Sequence, residues 1–333
     1  MKPLREHGGG ITQDFRDFFK ITNQEVAIMK MDVKNIICTT DFSDFSNHAI
    51  PFGISLAREF GAKLYLCHVI DISSTAMYGE GFADPFEQQK RISDYADEHL
   101  RELIGDTPLD WAPIISVGNT ADDIVRVAEE KKADLVVTAT HGRSGLKRVI
   151  LGSVTERLMR TLPCPLFVVR SQEKGLATPV RAEIKMKRIL VGCDFSPDSS
   201  LAFQYGLSLA QEFQSELHLA HVIEPAVYKD MLKQSAEENE AYEEDLREKL
   251  TEQLKGMVPE EVHHWCTPKT ILLAGQAHDE LVKYAVVHKM DLIVLGVRGH
   301  SLVESLLVGS TTDRVIRQAP CPVLSVRPTS GKK

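Results

Sequence analysis

The sequence predicts an α/β protein of two tandem domains, each a five-stranded parallel sheet covered by helices on both faces. Three observations carry this expectation: an internal duplication, Val/Ile/Leu runs alternating with helix-period segments, and a length that suits two cores. The 333 residues allow about two domains of ordinary size, each able to bury its own apolar interior.

The duplication is plain. "TTDFSDFSNHAIPFGISLAREFGAKLYLCHVID" aligns with "GCDFSPDSSLAFQYGLSLAQEFQSELHLAHVIE", so Asp41 maps to Asp194 and Val69 to Val222 with a common offset of 153. Further on, Gly118 maps to Gly275, Gly142 to Gly299, Gly152 to Gly309 and Cys164 to Cys321 with an offset of 157, so copy two carries four extra residues in its middle. A period this long means whole domains, because solenoid repeats run at about 20–50 residues.

In copy one the apolar runs "NIIC", "KLYLCHVI", "APIISV", "DLVVTAT" and "PLFVVR" alternate with helix-period segments such as "NHAIPFGISLAREF" and "ADDIVRVAEEKK". Copy two repeats the order with "RILVGC", "ELHLAHVI", "TILLA", "DLIVLG" and "PVLSVR". Near-continuous apolar strands are those of a parallel sheet buried on both faces. The expected organisation is an extension over 1–31, domain one over 32–171, a linker over 172–186, domain two over 187–328 and a tail over 329–333. The copies differ most over about 72–110 and 225–264, where "STAMYGEGFADPFEQQK" stands against a long charged helix. Such divergence fits either a flap over a site or drift in surface segments. The Pro-Cys-Pro triplets at 163–165 and 320–322 are expected to start edge strands, where proline is tolerated.

Composition narrows the function. The net charge is -8, with 43% hydrophobic and 26% charged residues, so nucleic acid is excluded as a partner for want of a basic stripe. No apolar run approaches the roughly 20 residues of a membrane span, and "MKPLREHGGGITQDFRDFFKITNQEVAIMK" lacks the apolar core of a secretory signal. The six cysteines form no CxxC pair and mostly lie in strand-like runs, which suits a reducing cytoplasm. "HHWC" offers metal-ligand types, but adjacent residues on a strand point to opposite faces, so no metal site is assigned.

The stretch "GVRGHSLVESLLVGST" carries the chemistry. "DLIVL" delivers the chain to the C-terminal edge of a parallel sheet, where helix N-termini offer unpaired N–H groups to anions. Gly296 permits a turn, Gly299 a close backbone approach, and Ser310 with Asp313 has the spacing of a capping box, matched by Ser153 and Glu156 in copy one. Neither GxxxxGK[ST] nor GxGxxG after the first strand is present. His141 and His300 lie in the loops without a Ser or Cys nucleophile and an orienting carboxylate. His68 and His221 read as satisfied core histidines.

Gly296-x2-Gly299-x9-Gly309-Ser310, "DFS" after the first strand, "HVI" ending the second and "APCPVLSVR" closing the domain together resemble the universal stress protein family, over nearly all of 32–328 and in two copies. The resemblance implies Rossmann-like domains and, in the nucleotide-binding branch, ATP, taken here with Mg2+. By that analogy Asp194 hydrogen-bonds the adenosine moiety and Val222 contacts adenine. The backbone at Gly296, Gly299 and Gly309, with Ser310 and Thr311, takes the phosphates; Arg298 either adds charge or is a solvated loop residue. The same analogy assigns domain one Asp41, Val69, Gly142, Arg143, Gly152, Ser153 and Val154, with Ala139 where the first glycine belongs. Ala139 costs little at negative φ and strains the turn at positive φ.

The family's last strand mediates dimerisation, so the two copies are expected to form an intramolecular pseudo-dimer through "PLFVVR" and "PVLSVR", with a homodimer through other faces left open. The expected function is ATP binding in stress response, acting through nucleotide or partner binding with weak ATP hydrolysis at most. Two alternatives stand: a scaffold or small-ligand carrier without nucleotide, and a slow ATPase or adenylyl-transfer enzyme.

Overall fold

A computed structural model describes residues 31–71, 85–141, 151–170, 184–224, 236–266, 268–299 and 308–328. Copy one runs β1 (Asn35–Thr39), the single turn α1 (Asp44–Asn47), α2 (Ile50–Phe60), β2 (Lys63–Asp71), α3 (Pro85–Ile104), β3 (Trp111–Gly118), α4 (Thr120–Glu130), β4 (Leu135–Ala139), α5 (Ser153–Thr161) and β5 (Leu166–Val169). Copy two runs β6 (Arg188–Gly192), α6 (Pro197–Phe213), β7 (Glu216–Ile223), α7 (Ala236–Gly256), a 3-10 turn (Glu260–His264), β8 (Lys269–Ala274), α8 (Ala277–Val287), β9 (Leu292–Gly296), α9 (Ser310–Gln318) and β10 (Val323–Val326).

Local chemistry explains the boundaries. Ser43 and Ser196, 153 apart, cap α1 and α6 by accepting from the amides of Ser46 and Ser199. α2 ends on Gly61 in the left-handed region, whereas α6 ends at the equivalent place on Gln214, with φ 51°. A carboxylate ties each first strand to the fourth. Asp134 Oδ2 accepts from the amides of Lys34 and Asn35 at 2.8 and 2.9 Å, and Asp291 Oδ2 from those of Lys187 and Arg188 at 2.9 Å each.

The ten strands form one sheet in the order β3-β2-β1-β4-β5-β10-β9-β6-β7-β8. Each half is parallel, and the halves meet where β10 lies antiparallel to β5, with Leu324 opposite Phe167. β5 and β10 are each the outermost strand of their own half, and they meet at the centre of the joined sheet. Pro165 and Pro322 are accommodated because each precedes its paired run and uses only its carbonyl, accepting from Val136 and Ile293. The true edges are β3 and β8, and Pro113 sits in the former.

Two apolar cores lie on opposite faces, and both cross the junction. One joins Val137 and Phe167 to Val191 and Leu324, with Leu100 of α3 and Leu250 of α7; the other joins Val136 and Val168 to Ile293 and Val323, with Leu158 of α5 and Val315 of α9. Met31 and Met186 are buried in the first core. The amide of Met31 donates to Ser208 Oγ of α6 at 2.8 Å. Within the divergent middle of copy one, α3 is a 20-residue helix, so there too a helix stands opposite the charged helix of copy two. "HHWC" lies in and just after the 3-10 turn, not on a strand.

Candidate functional site

The first strand of each copy ends in the same strained turn. Phe42 and Phe195 have φ of 66° and 63°, a conformation that costs a non-glycine residue about 1 kcal/mol or more. Surrounding bonds hold it. Asp41 Oδ1 accepts from the amide and hydroxyl of Ser43 at 3.0 and 2.6 Å, and Asp194 Oδ1 from the amide of Ser196 at 3.0 Å. Beneath each phenylalanine a histidine ring lies 4.2 Å (His68) or 4.7 Å (His221) away between centroids. The Nδ1 atoms contact the carbonyls of Thr40 and Cys193 at 2.9 and 2.8 Å. Both histidines are buried; they brace the aspartate turn.

The glycine loop meets this turn. A Cβ on Gly299 would lie 2.4 Å from Asp194 Oδ2, so only glycine lets the loop pass the carboxylate without a shift. Val69 and Val222 are buried nearby, at the ends of β2 and β7. Gly309 donates its amide to the carbonyl of Val297 at 2.8 Å, and Gly152 to that of Thr140 at 2.9 Å. A Cβ at either position would come within 3.2 or 3.1 Å of the same oxygens. Thr312 and Thr155 lock the helix starts by donating to the carbonyls of Gly296 and Ala139 at 2.6 and 2.9 Å. These threonines stand two residues beyond Ser310 and Ser153, a repeated Ser-x-Thr that could have marked them in the sequence.

The capping-box expectation is corrected. Gly309 and Gly152 are the N-caps, so the cap residue offers no side chain to either helix, and Ser310 and Ser153 are the first helical residues. The first intrahelical bonds run from Asp313 and Glu156 back to the two glycine carbonyls. The amides of the first turn, including Ser310 and Thr311 or Ser153 and Val154, are thus without intrahelical partners at the positive end of a helix dipole. Ser310 and Ser153 are exposed.

Gly296 has a different role from the expected turn. It is the last residue of β9, and a Cβ there would fall 2.7–2.9 Å from the backbone and Cβ of Asp198 in the first turn of α6. Nearly buried Asp198 holds the loop: its Oδ2 accepts from the amide of Arg298 at 3.1 Å and from its Nε at 3.3 Å. Arg298 is therefore an ion-paired residue. Copy one has Phe45 and His141 at the corresponding places. Ala139 is buried in β4 and is not among the positive-φ residues, so the strain considered for it does not arise. Gly142, Arg143 and His300 lie outside the described residues.

The cysteine at the end of β6 is structural: burial pushes the Cys193 thiol up to about 12. A groove of about 650 Å³ lined by Gln211, Gln214, Trp265 and Lys269 lies at the opposite, N-terminal ends of β7 and β8 and shares no residue with this constellation.

The family model for the universal stress protein family matches residues 32–170 and again 185–327. A universal stress protein of Methanocaldococcus jannaschii is 35% identical over 143 residues, 42% of this chain and 84% of that protein. Another, from Synechocystis, is 26% identical over 320 residues, 89% of this chain and the full length of that protein. The crystal structure of a universal stress protein from Archaeoglobus fulgidus superposes with a TM-score of 0.62 at 20% identity, covering 88% of this chain and 98% of its own; that likeness concerns the fold.

Proposed function

The chain belongs to the universal stress protein family as a tandem of two family domains, and from that premise we propose that it binds ATP, foremost in domain two, and acts through the bound state rather than through turnover. The observation that carries the reading is the contact of Asp194 with Gly299: an acid suited to ribose hydroxyls faces a glycine loop whose following helix leaves its first-turn amides without intrahelical partners. The two lie at the C-terminal sheet edge between β6 and β9, where β7 continues one way and β10 the other. This is the switch point at which open α/β sheets bind ligands.

In this reading Asp194 holds the adenosine moiety and Val222 lies against the base. Gly299, Gly309, Ser310 and Thr311 take the phosphates, with Mg2+ offsetting their charge. Arg298, tied to Asp198, fixes the loop and lends partial positive charge. Domain one is the weaker site, with Asp41, Val69, Gly152, Ser153 and Val154 in the same places, and its Ala139 is no obstacle because the backbone there is extended. A cytoplasmic setting belongs to the same reading, supported by six buried cysteines that form no disulfide. Among the described residues no helix is long and apolar enough to cross a membrane.

Calorimetry with ATP and Mg2+ on the wild type and on Gly299→Val tests the proposal. The wild type is expected to bind without releasing phosphate, and the variant, which crowds Asp194, to lose at least tenfold in affinity. A folded wild type that takes up no nucleotide would leave the ligand-carrier alternative; phosphate release would support the slow ATPase.

A further inference from the structure

Arg170 follows β5 and Arg327 follows β10, 157 residues apart and thus at the same place in the two copies. Each reaches across the junction. Arg170 Nη1 donates to the carbonyls of Gln318 and Ala319 at 3.1 and 3.0 Å, and Arg327 Nη1 donates to the carbonyl of Arg160. The acceptors lie at the C-terminal ends of α9 and α5, the two helices whose opposite ends form the candidate phosphate cradles. Each helix is therefore fixed by its own domain at the N-terminus, through Thr312 or Thr155, and by the other domain at the C-terminus.

Both helices have nine residues, so their ends are only about 13 Å apart. An anion at one end and a guanidinium at the other act on the same dipole, and a helix this short moves as one body. Arg327 has a second connection. Burial and the neighbouring Arg298 pull its guanidinium pKa down, while Asp198 opposes them. Arg327 thus bonds the far end of the domain-one helix while it feels the charges of Arg298 and Asp198 at the domain-two site.

We propose that Arg170 and Arg327 are positioning residues that couple the two candidate nucleotide sites of one chain, so that filling one site changes the affinity of the other. The proposal rests on the nucleotide reading above. Its thermodynamic content is reciprocal: whatever site two does to site one, site one does to site two.

The test uses the full chain. Asp41→Ala weakens site one while leaving the sequence of α5 intact, and the ATP affinity of site two is measured by calorimetry with and without this change. An affinity shift of about fivefold or more is expected, and Arg170→Gln with Arg327→Gln should bring the two values within about twofold of each other while site two still binds. Should the paired variant not fold, Arg327→Lys replaces it, with an intermediate shift expected. Hydrogen exchange gives a readout that a mere stitch across the junction would not move: ATP added to Asp41→Ala should alter protection over residues 153–161, in the domain left empty. Binding with equal affinities and unchanged exchange overturns the coupling alone. No binding in the wild type overturns the nucleotide reading, and the coupling with it.

Discussion

Replacing Gly296 by alanine separates packing from binding at the candidate site. The added Cβ would lie 2.7 Å from the carbonyl carbon of Asp198, 2.8 Å from its Cβ and 2.9 Å from its oxygen, about 0.8 Å inside ordinary carbon contact distance. No rotamer change relieves a clash with the backbone of a helical first turn, so β9 and α6 must separate. Overpacking of this kind costs about 1–3 kcal/mol. Loosening Asp198 also threatens both of its bonds to Arg298, which keeps the expected loss off the lower end of that range, at about 2 kcal/mol. At about 2–4 °C per kcal/mol for a domain of this size, Tm falls by about 4–8 °C. Differential scanning calorimetry reads the shift. Ala139→Gly, the reciprocal change in copy one, is the control. It removes a buried methyl from a strand with no clash to relieve and should cost only about 0.5–1 kcal/mol. An unchanged Tm for Gly296→Ala, or a larger loss from Ala139→Gly, would refute the packing argument.

Two further outcomes are expected. Gln214 ends α6 with φ 51° where copy one has Gly61, so Gln214→Gly should raise stability by about 0.5–1 kcal/mol in urea unfolding; a loss would show that the Gln214 side chain contributes more than the backbone strain. His218 is buried with Nδ1 at 2.9 Å from the Tyr284 hydroxyl, and its pKa lies below the ordinary 6.5, first because of burial and despite Glu216. The unfolded imidazole takes up a proton near 6.5 while the folded one resists, so this contribution is complete above that pH and is lost as pH falls toward the folded value. The unfolding midpoint should drop between about pH 7.5 and 5.5, and drop less in His218→Phe; equal slopes would remove His218 as the cause.

Much of this was legible because the chain is written twice. Matching offsets of 153 and 157 pair Asp41 with Asp194 and Gly152 with Gly309 from residue order alone, and the apolar runs mark the strands nearly residue by residue. The cap was misplaced by one residue, since Ser-x-x-Asp is a sound cap pattern on its own. It is a bond from the Gly309 amide to Val297, made only in the fold, that places the helix start one position earlier than such a cap would. Phe42 and Phe195 gave no sign of their left-handed backbone, because nothing in "DFS" separates a strained turn from a relaxed one.

Order along the chain and apolar periodicity, both local properties, determined the number of domains, the strand sequence and the parallel sense within each copy. Contacts between segments far apart in sequence were decided only by the tertiary structure. Thus Gly296 is required by α6 rather than by a turn, and Arg298 is held by an aspartate 100 residues earlier. The reason is physical: propensity and pattern act over a few residues, whereas close approach and ion pairing depend on which surfaces the finished core brings together.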